Sequence, residues 1–259
     1  MPPAEHRPVD RRKFFARTAA GAALSLTAQS YAATPGANDK LRVAFLGCGG
    51  RAQAHIHMAA KLADRTTPAG VCDVWDGLEE DYDHTFAGRT VRRRYSQGLY
   101  PSAVKCGLDP ADRTRVTKDY RRLLDRKDVD AVVVSTPDHW HARMTLDAVA
   151  AGKDVLVEKP MTRTPAEAVA VTDAAARHNR VVAVGVQGLA DPSWTTAAEL
   201  VRGGRIGHLA HLSAGVFRTD PRGHWRFYRL VPEMTPRAVD WDLFLGHRFD
   251  VHGEPLGPP

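Results

Sequence analysis

From residue 41 onward, short apolar runs alternate with amphipathic stretches. Leu41-Arg42-Val43-Ala44-Phe45-Leu46 reads as a buried strand, and Gln53 to Leu62 follows as a helix. Ala69-Gly70-Val71-Cys72 is a second strand, ending at Asp73. Asp130-Ala131-Val132-Val133-Val134-Ser135 is almost continuously apolar, as a parallel strand covered on both faces should be. A helix from about Trp140 to Ala151 stops at Gly152, and Asp154-Val155-Leu156-Val157 is the next strand. Thr164-Pro165-Ala166-Glu167 opens another helix, with Thr164 as N-cap and Pro165 in its first turn. Val181 to Val186 is a further strand. This strand-helix alternation predicts an α/β fold with a doubly wound parallel sheet.

The pattern breaks in three places. Residues 76–117 are polar and Arg-rich with scattered Gly and Pro, and read as a helix fragment plus a long surface loop. Lys118 to Leu124 reads as a short amphipathic helix. After a helix from Asp191 to Arg202, closed by Gly203-Gly204, the register changes: Ile206 to Val216 alternates as a longer strand. Residues 218–259, rich in Pro, Gly, Trp and Arg, read as an extended arm.

Charge alters this picture mainly at the N-terminus. Asp10-Arg11-Arg12-Lys13-Phe14-Phe15 is a twin-arginine pattern, followed by an Ala-rich segment to Ala28 and small residues around Ser30-Tyr31-Ala32. Residues 1–33 therefore read as a cleaved export signal, placing the mature protein in the periplasm or outside the cell with no membrane anchor. A basic tail is the alternative reading. These residues hold five Lys or Arg against two acids, so half of the formal net charge of +6 belongs to them. The runs Arg92-Arg93-Arg94 and Arg121-Arg122 lack interleaved aromatics and read as solvated faces, not a nucleic-acid footprint. The three cysteines, Cys48, Cys72 and Cys106, form no disulfide framework. Cys48 reads as a packed, inert thiol, the alternative being one activated by the adjacent helix N-terminus.

The candidate chemistry sits at strand ends. Gly47-Cys48-Gly49-Gly50-Arg51-Ala52 lies between the first strand and its helix, and Asp73 lies 21 residues beyond Ala52. This is a dinucleotide fingerprint. Gly47 permits the tight turn, Gly49 admits a pyrophosphate to the backbone, and Ala52 lets helix and strand pack closely. The helix N-terminus offers N–H groups and partial positive charge. Asp73 would accept hydrogen bonds from the adenosine ribose and disfavour a 2′-phosphate, so NAD is expected over NADP. Thr136-Pro137-Asp138-His139-Trp140-His141 and Glu158-Lys159-Pro160 follow two later strands. Asp138, His139 and His141 could ligate a metal, but a cofactor wall explains them without one. His55 and His57 read as exposed.

Fingerprint, T-P-x-x-W-H and E-K-P, in this order, resemble the glucose-fructose oxidoreductase / inositol dehydrogenase family, also called Gfo/Idh/MocA. The resemblance covers about residues 41–217, and Asp240-Trp241-Asp242-Leu243-Phe244-Leu245-Gly246 is similar to a later family segment. It implies a Rossmann domain over residues 40–188. Residues 189–259 would then begin a second, mostly antiparallel α+β substrate domain. It implies that Lys159 polarises a substrate hydroxyl and that Pro160 is cis. Gly50, Arg51, Thr136 to His141, Glu158 and Gln187 would line the cofactor. The substrate implied is a carbohydrate, a sugar or polyol oxidised by hydride transfer, and a full-length form would be a homo-oligomer. An NAD-dependent glycosidase and a catalytically silent cofactor-binding subunit are the alternatives. The family's histidine base lies in a Gly-rich segment with no counterpart among residues 218–259. His224, His247 and His252 are not in a matching context. The chain is expected to hold the cofactor half with most of the substrate half missing, and to self-associate through the unpaired Ile206–Val216 strand.

Overall fold

A computed structural model describes residues 40–86, 88–188, 191–215, 231–246, 249–251 and 254–256. The segment expected to be an export signal, Val216 and the three C-terminal histidines lie outside these residues. The chain divides into a unit ending at Leu41 and a unit from Arg42 onward, and the architecture below is that of the second.

Six strands form one sheet: β1 (Leu41–Leu46), β2 (Thr66–Cys72), β5 (Val116–Thr117), β6 (Ala131–Val134), β7 (Asp154–Glu158) and β8 (Val182–Gly185). Their spatial order is β5-β2-β1-β6-β7-β8, with parallel pairing. The order runs outward in both directions from β1 and β6, so the doubly wound reading holds and the switch point lies between these two strands. Alternate side chains of β1 feed two cores. Ala44 and Leu46 pack with Val132, Val134, Val155 and Val157. Val43 and Phe45 pack with Val71, Val116 and Val133. Helices cover each face: Met144, Ala148 and Val149 of α4 (His141–Ala150) join the first cluster. Ile56 of α1 (Gly50–Lys61) joins the second, with Leu99 and Ala103 of α2 (Leu99–Lys105). A one-turn helix, α3 (Arg121–Leu124), replaces the longer one expected, and buries Leu123 and Leu124.

α5 (Pro165–His178) starts as its sequence dictates. Thr164 accepts from the Glu167 N–H while the Glu167 carboxylate accepts from the Thr164 N–H, a reciprocal capping box. Asn179 ends the helix in the left-handed conformation. Among the described residues, no helix is long and apolar enough to cross a membrane.

Three expectations need correction. Residues 78–97 are not a loop but an antiparallel hairpin of β3 (Leu78–Phe86) and β4 (Arg89–Gln97). The arginine run faces carboxylates across it: Arg92 pairs Asp83, and Arg94 pairs Glu79. Residues 206–215 form no strand, and Ile206, Leu209 and Leu212 are exposed, because no described strand lies beside them. The C-terminal segment is not simply an extended arm. Val239 bridges Trp75, and Val231 and Val239 bury themselves against Trp75 and Tyr95. α7 (Trp241–Leu245) follows, then a small hairpin, β9 (Phe249–Val251) with β10 (Glu254–Leu256). Between β8 and this segment lies α6 (Pro192–Arg202), which buries no residue.

Candidate functional site

The fingerprint occupies the switch point. Gly47 has φ +82°, and a β-carbon there would lie 2.7 Å from the Thr136 nitrogen. A side chain would therefore be strained twice over, by the backbone conformation and by contact with the loop after β6. The turn is held by Gly47 N–H on the Cys72 carbonyl and by Ser135 N–H on the Leu46 carbonyl, each at 2.8 Å. At Gly49 the surroundings reverse: nothing lies within 4 Å of where a β-carbon would be. Gly49 is the N-cap of α1 and provides no side-chain cap, and the first turn carries no acid. The helix thus presents its N-terminal N–H groups to open space. Ala52 is fully buried and lets α1 approach the sheet.

Asp73, at the C-terminal end of β2, has turned toward this loop. Its carboxylate accepts from the Cys48 N–H at 2.5 Å and the Trp75 N–H at 2.8 Å. Burial pushes the carboxyl up from its ordinary range, opposed by those two N–H groups and by Lys118. Two backbone bonds leave lone pairs for further donors, so the group still suits ribose hydroxyls. Cys48 is fully buried, and burial followed by the charge of Asp73 pushes its thiol well up. It is the inert thiol expected, not an activated one.

On the other side of the crevice, Ser135 Oγ and Thr136 Oγ1 are buried with no hydrogen-bond partner among the described residues. Orphaned hydroxyls beside an uncapped helix start and an unobstructed Gly49 fit a dinucleotide. Gly47, Gly49, Gly50, Ser135 and Thr136 would surround its pyrophosphate, and Asp73 its ribose. Pro137 and Asp138 are exposed on the same loop.

The rest of that loop is committed inward. His139 Nε2 and Trp140 Nε1 both reach the Phe244 carbonyl, at 2.9 and 2.7 Å. His141 reaches the Pro160 carbonyl through Nδ1 at 2.6 Å and the Thr136 carbonyl through Nε2 at 2.9 Å. His141 thereby ties the T-P-x-x-W-H loop to the E-K-P turn. The ring nitrogens of His139 and His141 go to different carbonyls and do not converge on one point. Gly246 closes α7 against Trp140, so near that a β-carbon would overlap its ring.

The E-K-P turn is anchored by Glu158. Its side chain is 4% exposed, and Oε1 meets Arg51 Nε at 2.5 Å and His55 Nε2 at 2.8 Å. Oε2 accepts from the Lys159 N–H at 3.2 Å. Burial alone would raise this carboxyl, but the Arg51 and His55 bonds outweigh it and hold it below the ordinary glutamate range. Gly185 leaves the room, since a β-carbon there would lie 2.9 Å from Oε1. His55 is therefore a partner inside the site, not the exposed residue its sequence context suggests, whereas His57 is exposed. The signal was available in hindsight: His55 lies one helical turn after Arg51 on α1, so both face one point. The Lys159–Pro160 bond is cis. Lys159 is exposed, and its ammonium takes part in no ion pair or hydrogen bond among the described residues. Gln187 is exposed just beyond β8.

The Gfo/Idh/MocA profile, described as an oxidoreductase family with an NAD-binding Rossmann fold, matches residues 41–186. The chain is similar to a glycosyl hydrolase family 109 protein of Shewanella pealeana, 28% identical over 225 residues, spanning 85% of this chain and 44% of that protein. It is similar to an alpha-N-acetylgalactosaminidase of Shewanella oneidensis, 27% identical over 85% of this chain and 43% of that protein. The chain thus spans less than half the length of these curated relatives. Among solved structures it resembles the WlbA dehydrogenase of Chromobacterium violaceum, in complex with NADH and UDP-GlcNAcA. The TM-score is 0.51 at 23% identity, over 65% of this chain and 41% of that one. The apo scyllo-inositol dehydrogenase of Lactobacillus casei gives 0.51 at 20% identity, over 66% and 43%. At these identities the likeness is one of fold.

Proposed function

Because the chain belongs to the Gfo/Idh/MocA oxidoreductase family and carries its NAD-binding Rossmann fold, we propose that it serves hydride transfer at a hydroxyl-bearing carbon of a sugar or polyol. The observation that carries this reading is the placement of Lys159. It directly follows Glu158, which is bonded to Arg51 and His55 of the fingerprint helix. The Lys159 ammonium is exposed and, among the described residues, pairs with no carboxylate, which suits it to the rim of the cofactor crevice. NAD, when bound, supplies the hydride acceptor. Lys159 would hold the substrate hydroxyl and stabilise the negative charge that grows on its oxygen as hydride departs. Glu158, through Arg51 and His55, would fix Lys159 relative to the glycine turn. His141 would fix the same turn from the other side.

A second reading has its own support. Two relatives that match 85% of the chain are named as a glycosyl hydrolase family 109 protein and an alpha-N-acetylgalactosaminidase. In an NAD-dependent glycosidase the hydride is taken and returned, so the same crevice and the same Lys159 serve without net redox change. The two separate when absorbance at 340 nm and aryl release are followed together on a panel of sugars and aryl glycosides. Accumulating NADH without aryl release supports the dehydrogenase, and release without net NADH supports the glycosidase. NAD binding with neither signal would overturn both in favour of a silent cofactor-binding subunit. The Arg11-Arg12 segment supports export, which cell fractionation of the intact protein would test.

A further inference from the structure

The β3–β4 hairpin enters the chain between Asp73 and α2, and its last residue, Gln97, returns to the fingerprint. A β-carbon on Gly50 would lie 3.2 Å from Gln97 Nε2. The carboxamide thus fills the space that a side chain at Gly50 would take. Its Oε1 receives the Tyr95 hydroxyl at 3.4 Å, which leaves the amide nitrogen facing the glycine turn. Among the described residues that nitrogen donates to no protein group. The position is rigidly set. Gly98 N–H bonds the Cys48 carbonyl at 3.0 Å, inside the fingerprint itself. Gly77 and Gly98 cross so closely that a β-carbon on Gly98 would lie 2.2 Å from the Gly77 α-carbon. A half-buried amide donor is thereby held beside the open N-terminus of α1.

We propose that Gln97 donates a hydrogen bond to the pyrophosphate of the bound dinucleotide, from the side opposite Ser135 and Thr136. The motif supplies backbone donors at this place, and the hairpin adds a side-chain donor that no fingerprint position encodes. A neutral amide suits the task, because it meets an anion without placing a second charge next to Arg51. The role depends on the NAD-binding fold alone, whatever sugar chemistry the protein performs.

The test is a calorimetric titration of the full chain with NAD, ADP-ribose and adenosine, comparing wild type with Gln97→Met and Gln97→Glu. Methionine keeps the length and removes the donor; glutamate keeps the shape and sets a carboxylate against phosphate. Gln97→Met should weaken NAD and ADP-ribose about tenfold. Gln97→Glu should weaken them more, with the loss shrinking as pH is lowered and the introduced carboxyl takes up a proton. Adenosine, which has no phosphate, should bind all three proteins alike. Unchanged NAD affinity in both variants overturns the proposal. So does an equal loss for adenosine, or a glutamate loss indifferent to pH, since either marks a purely structural role. If Gln97→Glu does not fold, Gln97→Met with ADP-ribose against adenosine decides alone.

Discussion

At the scale of single residues, the site separates positions that must be small from positions that must be charged. Gly47→Ala should cost about 1–2 kcal/mol for the left-handed backbone and more for the approach to the Thr136 nitrogen, and should abolish NAD binding. Denaturant unfolding and an NAD titration check both parts. Asp73 is expected to give NAD at least a tenfold advantage over NADP. Asp73→Ala should reduce NAD affinity by about 1.5–3 kcal/mol, the value of hydrogen bonds to a charged group. Parallel titrations with the two cofactors read this directly, and equal or tighter NADP binding by wild type would count against it. Glu158 makes a prediction in pH. Its carboxyl is held below the ordinary range in the folded chain. Its contribution is therefore complete above the unfolded value of about 4.3 and lost as pH falls through the folded value below it. Urea unfolding from pH 6 to pH 3 should show wild type losing stability faster than Glu158→Gln. The difference should be about 1–2 kcal/mol, modest because Arg51 is itself over a third exposed.

At the scale of elements, most of what positions the cofactor was legible. Apolar runs flanked by turn residues mark β1, β2, β6 and β7, largely buried strands with little polar side to show, and also β8, which is apolar although this edge strand buries none of its residues. The start of α5 was legible to the residue, and Thr164→Ala should cost about 1 kcal/mol by thermal or denaturant unfolding. The β3–β4 hairpin was not legible, for a physical reason. Its strands carry charge at nearly half of their positions, in the runs Glu79-Glu80-Asp81 and Arg92-Arg93-Arg94, and charge reads as loop until the partner strand is known. Only the register sets Asp83 against Arg92 and Asp81 against Arg94. The candidate site was legible in its glycines, Asp73 and Glu158. Gln97 and His55 were hidden because their meaning lies in contacts with Gly50 and Glu158, 47 and 103 positions away. The loop from Thr136 to His141 was singled out as a cofactor wall, and it lies beside the glycine turn, with Thr136 against Gly47. Yet His139, Trp140 and His141 spend their polar atoms on the chain's own carbonyls.

At the scale of the whole molecule, α6 and the residues after it leave apolar side chains in water. Trp194 is 66% exposed and Leu212 82%, with Leu200, Ile206 and Leu209 near half. Such a surface favours association, and light scattering should show the chain self-associating. Trp194→Gln with Leu212→Ser should reduce it without lowering the unfolding midpoint, since neither side chain is buried. A monodisperse wild-type monomer would refute this. Ending the chain near Gly188 is the poorer remedy, because it removes Val231 and Val239 and uncovers Trp75 and Tyr95. The crossing of Gly77 and Gly98 has a consequence of another kind. The hairpin leaves and rejoins the body of the domain at a single point, so its two ends are already closed, and the length of what lies between costs little. Leu78, Tyr82 and Tyr95 fasten the base of the hairpin to Trp75 and Val239, and residues 83–92 beyond them are in effect a cassette on a fixed stem. A reporter domain spliced in at Gly88, the exposed tip, should leave the crevice intact while riding on the arm that ends at the dinucleotide.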